Sequence, residues 1–87
     1  MDWRRRLADY NSAQAAHVSA ERLLAAAVDA GETALQAGSQ ATGSVVLGVA
    51  LARKRVLRAR RRLARATLEL TGGRPLEEVL WSLPDDI

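Results

Sequence analysis

The sequence has no cysteine and no phenylalanine, only two prolines, and aromatic residues fill just 3% of its 87 positions. The missing thiols exclude disulfides, thiolate zinc sites and a cysteine nucleophile, and they leave the redox compartment open. The scarcity of aromatics thins any core. Hydrophobic residues reach 48%, but much of that fraction is alanine, which favours helix strongly and buries little area. Small scaffolds of this composition commonly gain stability by oligomerising, so self-association or a partner chain is expected. The length allows a single domain, residues 1–87, and excludes a second.

A long apolar run is also missing. The longest, Ala41 to Ala52, covers about 12 residues, whereas a membrane span needs roughly 20. Near the N-terminus, Arg4, Arg5 and Arg6 are followed by Asp9, Asn11, Ser12 and Gln14, where a secretion signal needs an apolar stretch. The expected compartment is therefore the cytoplasm, and a membrane partner is disfavoured.

What remains is helical pattern. From Trp3 to about Ala37 only Gly31 interrupts a composition of Ala, Leu, Glu and Arg, which predicts one long helix over 3–37. Ala13, Ala16, Ala20, Leu23, Ala27, Ala30, Ala34 and Ala37 recur at alternating steps of three and four, the spacing of a coiled-coil seam. Glycine and hydroxyl residues between Gly38 and Ser44 suit a C-cap glycine followed by a Thr or Ser N-cap, so the chain is expected to turn over 38–44. A second helix over 44–71 carries its own packing residues, Val45, Val49, Ala52, Val56, Ala59, Leu63, Ala66 and Leu70, at the same spacing. Gly72-Gly73 supplies a stop over 72–74. Pro75 fits the first turn of a short third helix over 75–83, with Glu77 and Glu78 complementing its dipole and Pro84 ending it. The predicted fold is all-α: an antiparallel helical hairpin, an alanine-rich coiled coil, with a short C-terminal helix. A turn centred near Ala41 places Asp29 near Arg53 and Glu21 near Arg61. Trp3, Leu7 and Tyr10 on the longer arm then await cover from Leu76, Val79, Leu80, Trp81 and Leu83. Gly31 and Gly48, inside predicted helices, are expected to mark close helix packing.

Between Arg53 and Arg65 the sequence reads RKRVLRARRRLAR, eight basic residues in thirteen with no acid. Ala50, Leu57 and Ala64 form an apolar line through this charge. Like charges three or four apart each destabilise a helix by about 0.2–0.5 kcal/mol, and the four acids of the first arm, Asp9, Glu21, Asp29 and Glu32, cannot neutralise eight cations, even with Glu69 in reach of Arg65. The surplus implies an anionic partner or solvent counterions, with Arg55, Arg58, Arg60, Arg61, Arg62 and Arg65 as the candidate partner- or anion-binding residues. Arginine density and a pI near 10.6 favour nucleic acid. The net charge of only +3, the absence of aromatics within the basic run and its spread around the helix favour ion pairing within a protein assembly instead. An acidic end, Glu77, Glu78, Asp85 and Asp86, adds head-to-tail complementarity between copies or self-shielding within one.

Catalytic chemistry finds little footing. His17 and Glu21 share a helix face and could give two metal ligands, too few without symmetry mates. Asp29 and Glu32 lie among alanines that give no cause for a perturbed pKa. Gly72-Gly73-Arg74 follows a helix and lacks the spacing of a phosphate loop. No catalytic, metal or cofactor-binding residue is assigned, and no cofactor is expected.

Gln36-Ala37-Gly38, Ser44-Val45-Val46-Leu47 and the run LARKRVLRARRRLARATLELTGG together resemble the last coiled-coil hairpin of TolC-type outer-membrane efflux proteins over about half the chain. The linker after Gly38 is longer and the acids before the second arm are missing, so the resemblance implies architecture and carries no function. The expected role is that of a non-enzymatic helical interaction or assembly protein, an adaptor, small chaperone or oligomeric structural subunit. Its partner is a further copy or another helical chain; nucleic acid bound along 53–65 is the alternative.

Overall fold

The computed structural model describes residues 2–38 and 43–82. Three helices follow in order: α1 over Trp3–Gln36, α2 over Gly43–Thr71 and α3 over Leu76–Trp81. The two long helices pack antiparallel, and α3 lies against α2. The molecule is a rod of 57 × 19 × 18 Å. Its radius of gyration is 18.0 Å, against about 12 Å for a compact chain of this length.

Each helix end has a local cause. The Asp2 carboxylate accepts from the Arg5 backbone N–H at 3.2 Å and caps α1. At the other end Gly38 takes φ 82°, a left-handed conformation that glycine adopts without Cβ strain, while the Ala37 and Gly38 amides return to the Thr33 and Leu35 carbonyls. The expected Thr42 N-cap of α2 lies outside the described residues. Gly72 and Gly73, at φ 60° and 91°, end α2; Gly72 N–H bonds the Leu68 carbonyl at 2.8 Å and Gly73 N–H the Thr71 hydroxyl at 3.2 Å. The buried Thr71 is thereby satisfied. Pro75 stands just before α3 instead of inside it, and α3 closes at Trp81. Leu83 and Pro84, expected to finish it, lie outside the described residues.

The arms meet along two columns of small residues. On α2, Val45, Val49, Ala52, Val56, Ala59, Leu63, Ala66 and Leu70 are all buried or half-buried. On α1 the inward positions are Tyr10, Ala13, His17, Ala20, Leu24, Ala27, Gly31 and Ala34. The alanine stripe expected from the sequence supplies every second one of these. Of its other members Ala16 is half-buried beside this column, while Leu23 is 51% exposed and Ala30 and Ala37 also face solvent. The reason is that α1 has alanine on every face, so alanine carries no phase information. The column of Tyr10, His17, Leu24 and Gly31 does, but it mixes residue types that do not read as one apolar stripe.

The register also differs from a turn at Ala41. A Cβ on Gly31 would meet Val45 Cγ1 at 3.1 Å, and Arg62 Nη2 donates to Ser12 Oγ at 3.0 Å. A turn centred on Ala41 would instead bring Gly31 to Leu51 and Ser12 to Leu70. Because α1 breaks at Gly38, the hairpin's centre moves back by about three residues and the pairing slides by about six, more than one helical turn. Gly31 is thus a point of close approach, as expected. Gly48 is not: nothing lies within 4 Å of where its Cβ would stand.

The core is narrow. Ala20, Val56 and Ala59 form its centre with Leu24 packed against them, and Val56 is its best-buried branched side chain at 3% exposure. Val79 of α3 is buried, but Leu80 and Trp81 point outward. The expected cover over Trp3, Leu7 and Tyr10 does not form from α3, which neighbours α2 and not α1 among the described residues. The reason is the sharp glycine turn at 72–73, which lays Val79 back on the helix it has just left. Trp3 instead lies beneath the Arg4 guanidinium, 5.2 Å from its ring centre, a cation–π contact.

Candidate functional site

Arg53, Lys54, Arg55, Arg58, Arg60, Arg61, Arg62 and Arg65 are all exposed. They follow from a helix of 3.6 residues per turn whose inner face is fixed by Val56, Ala59 and Leu63: every remaining direction points to solvent. The candidate anion-binding residues Arg55, Arg58, Arg60, Arg61, Arg62 and Arg65 therefore form a sleeve around α2. They are not gathered into one pocket. Among the described residues only Arg62 of this set bonds a neighbour, the Ser12 hydroxyl. The expected pairs do not form: among the described residues no ion pair joins Asp29 to Arg53 or Glu21 to Arg61 across the arms, or Glu69 to Arg65 along α2. The slid register explains the first two, because it carries each arginine past its intended acid.

Glu21 turns to its own helix instead. Its Oε1 lies 2.9 Å from His17 Nε2. That nitrogen is buried and the approach does not have hydrogen-bond geometry, so the atom has no hydrogen-bond partner among the described residues. His17 occupies a seam position and is half-buried, 19% exposed. Among the described residues no three His, Cys, Asp or Glu side chains gather as metal ligands.

A second apolar line lies on the outer side of α2. Val46, Ala50, Leu57, Ala64 and Leu68 are all exposed and fall within a narrow arc at 100° per residue. Arg53 and Arg60 flank it on one side and Lys54 and Arg61 on the other. Ala50, Leu57 and Ala64 were legible as a line in the sequence. Val46 and Leu68 extend it, and their signal was the same spacing carried one turn further each way. At the turn-proximal end this line opens into a shallow groove of about 510 Å³ walled by Val45, Val46, Val49, Ala50 and Leu57, with Arg53 and Lys54 at its edge. Leu47 and Leu51, more than half exposed, continue the apolar surface beside it.

Among the described residues no helix is long and apolar enough to cross a membrane. Comparison with known protein families, curated proteins and solved structures finds no match. The likeness to efflux-protein hairpins thus rests on residue spacing alone.

Proposed function

We propose that this chain is a non-enzymatic helical interaction or assembly protein, acting in the cytoplasm as an oligomer or bound to another helical chain. One observation carries the reading. Among the described residues no large side chain is fully buried, while eleven large hydrophobic ones stay exposed, from Val18 to Trp81. The accessible area, 6628 Å², exceeds the roughly 5,000 Å² of a compact monomer of this mass. Fully burying a Leu or Val is worth about 1.5–3 kcal/mol, so covering half of these part-exposed groups is worth on the order of 5 kcal/mol before the entropy of association. An unpartnered hairpin leaves that unused. Size-exclusion chromatography with light scattering tests the reading: the expected result is a mass above that of one chain, or a co-purifying protein. A monomer unchanged by dilution, with nothing bound, removes it.

A second reading, nucleic-acid binding, is favoured by the eight cations of 53–65, none of which has an ion-pair partner among the described residues. If six arginines each neutralise one phosphate, log affinity falls with log salt at a slope of about −5. Binding to duplex or single strands across a salt series decides it, and no binding at low salt eliminates it.

A further inference from the structure

We propose that α3 of one copy docks, through Trp81, into the apolar groove at the turn-proximal end of α2 in a second copy. This rests on the assembly reading and names its contact. On α3, Val79 is buried against the molecule's own α2 and Leu76 is half-buried. At helical spacing the opposite side is Trp81, with Glu77 and Glu78 to either side of it. Trp81 is 83% exposed, the most exposed of the large hydrophobic side chains described. The groove is the complementary arrangement: Val46, Val49, Ala50 and Leu57 make an apolar floor, and Arg53 and Lys54 stand at its edge. An indole flanked by two carboxylates meets a hydrophobic slot flanked by two cations, which fixes orientation as well as affinity. Buried aromatic anchors of this kind commonly dominate small interfaces.

The occupant cannot be the molecule's own α3. From Ala50 to Thr71 the helix runs about 32 Å, and burial of Val79 holds α3 at the far end of that distance. An acidic amphipathic segment of another protein has the same general chemistry, but the complement present in this chain already matches groove and rim.

The contact is small, so association is measured over a wide concentration range, by light scattering and by tryptophan emission in a Trp3→Phe background. Trp81 emission is expected to shift to the blue as the mass rises. Trp81→Ala weakens association at least about tenfold. Reversing the rim (Arg53→Glu with Lys54→Glu) or α3 (Glu77→Lys with Glu78→Lys) weakens it, and combining both reversals restores it. Circular dichroism establishes that each variant keeps the hairpin. Self-association that ignores Trp81→Ala and both reversals overturns this contact and leaves the assembly reading standing. A chain that stays monomeric at every concentration overturns the contact and leaves only a foreign partner for that reading.

Discussion

The half of the hairpin next to the turn and the half at its base are opposites. At the base lie the buried branched side chains, Val56, Leu70 and Val79, with Ala13, Ala20, Ala59 and Ala66 between the arms, and this core is sheathed in the arginines of 53–65. Toward the turn, burial shrinks to Gly31 and Ala52, α2 carries no charge from Gly43 to Ala52, and Val46, Leu47, Leu51 and Leu35 are turned outward. Stability and solubility coincide in one half, while the other has apolar surface without an interior. A region with few buried contacts opens locally at low free-energy cost and is the natural place for a partner to supply the missing core.

The strongest way to break this contrast is to place one carboxylate in each half. Val56→Asp buries a charge at the centre of the narrow core, with a destabilisation of about 3–5 kcal/mol expected. A hairpin this small has little stability to lose, so thermal melts followed by circular dichroism should show it largely unfolded at room temperature. Leu51→Asp, on the exposed turn-proximal surface, is expected to stay within about 0.5 kcal/mol of the parent while improving solubility. Equal destabilisation by the two substitutions would mean that the turn-proximal surface is already covered.

Gly31 and Gly48, the glycines in the helix interiors, sharpen the contrast within the turn-proximal half. Gly31→Leu drives a branched side chain into Val45 at the closest approach of the arms, costing about 1–3 kcal/mol. Gly48→Ala meets nothing within 4 Å and is expected to stabilise by about 0.5–1 kcal/mol through helix propensity. Chemical denaturation of both variants checks the pair. A Gly31→Leu protein as stable as the parent would show that the arms are not held together near the turn.

The same glycines show how far the sequence could be read. Helix type and number were legible because Gly38, Gly72-Gly73 and Pro75 are strong local signals, the Asp2 cap of α1 went unread, and the α2 seam was legible because valine and leucine mark it. The α1 seam was legible only in part, through Ala13, Ala20, Ala27 and Ala34, since alanine fits any face and Tyr10, His17 and Leu24 do not announce themselves as interior. Register was not legible either: a shift of three residues in the turn centre moves every cross-arm pair by about six, and only side-chain contacts such as Gly31 with Val45 fix it. Of the candidate site, the density of charge could be read from composition. The lack of acids opposite it could not, because that depends on register, and the exposed Trp81 depends on which way α3 folds back.

The smallest expected effect concerns the arginine sleeve itself. Arg58 has four like-charged neighbours one turn away, Lys54, Arg55, Arg61 and Arg62, whereas Arg60 has none at those spacings: Val56, Leu57, Leu63 and Ala64 occupy them. If the sleeve carries unbalanced charge in the free chain, Arg58→Gln relieves several repulsions of about 0.2–0.5 kcal/mol each at low salt, reduced by screening to about 0.5 kcal/mol in total near physiological ionic strength. Arg60→Gln relieves none and should leave the melting temperature unchanged. The difference between the two variants should fade as salt approaches molar concentration, where the screening length falls to about 3 Å. A loss of stability in Arg58→Gln that persists in high salt would mean that this side chain packs or pairs within an assembly, since burial is what protects a charge interaction from screening.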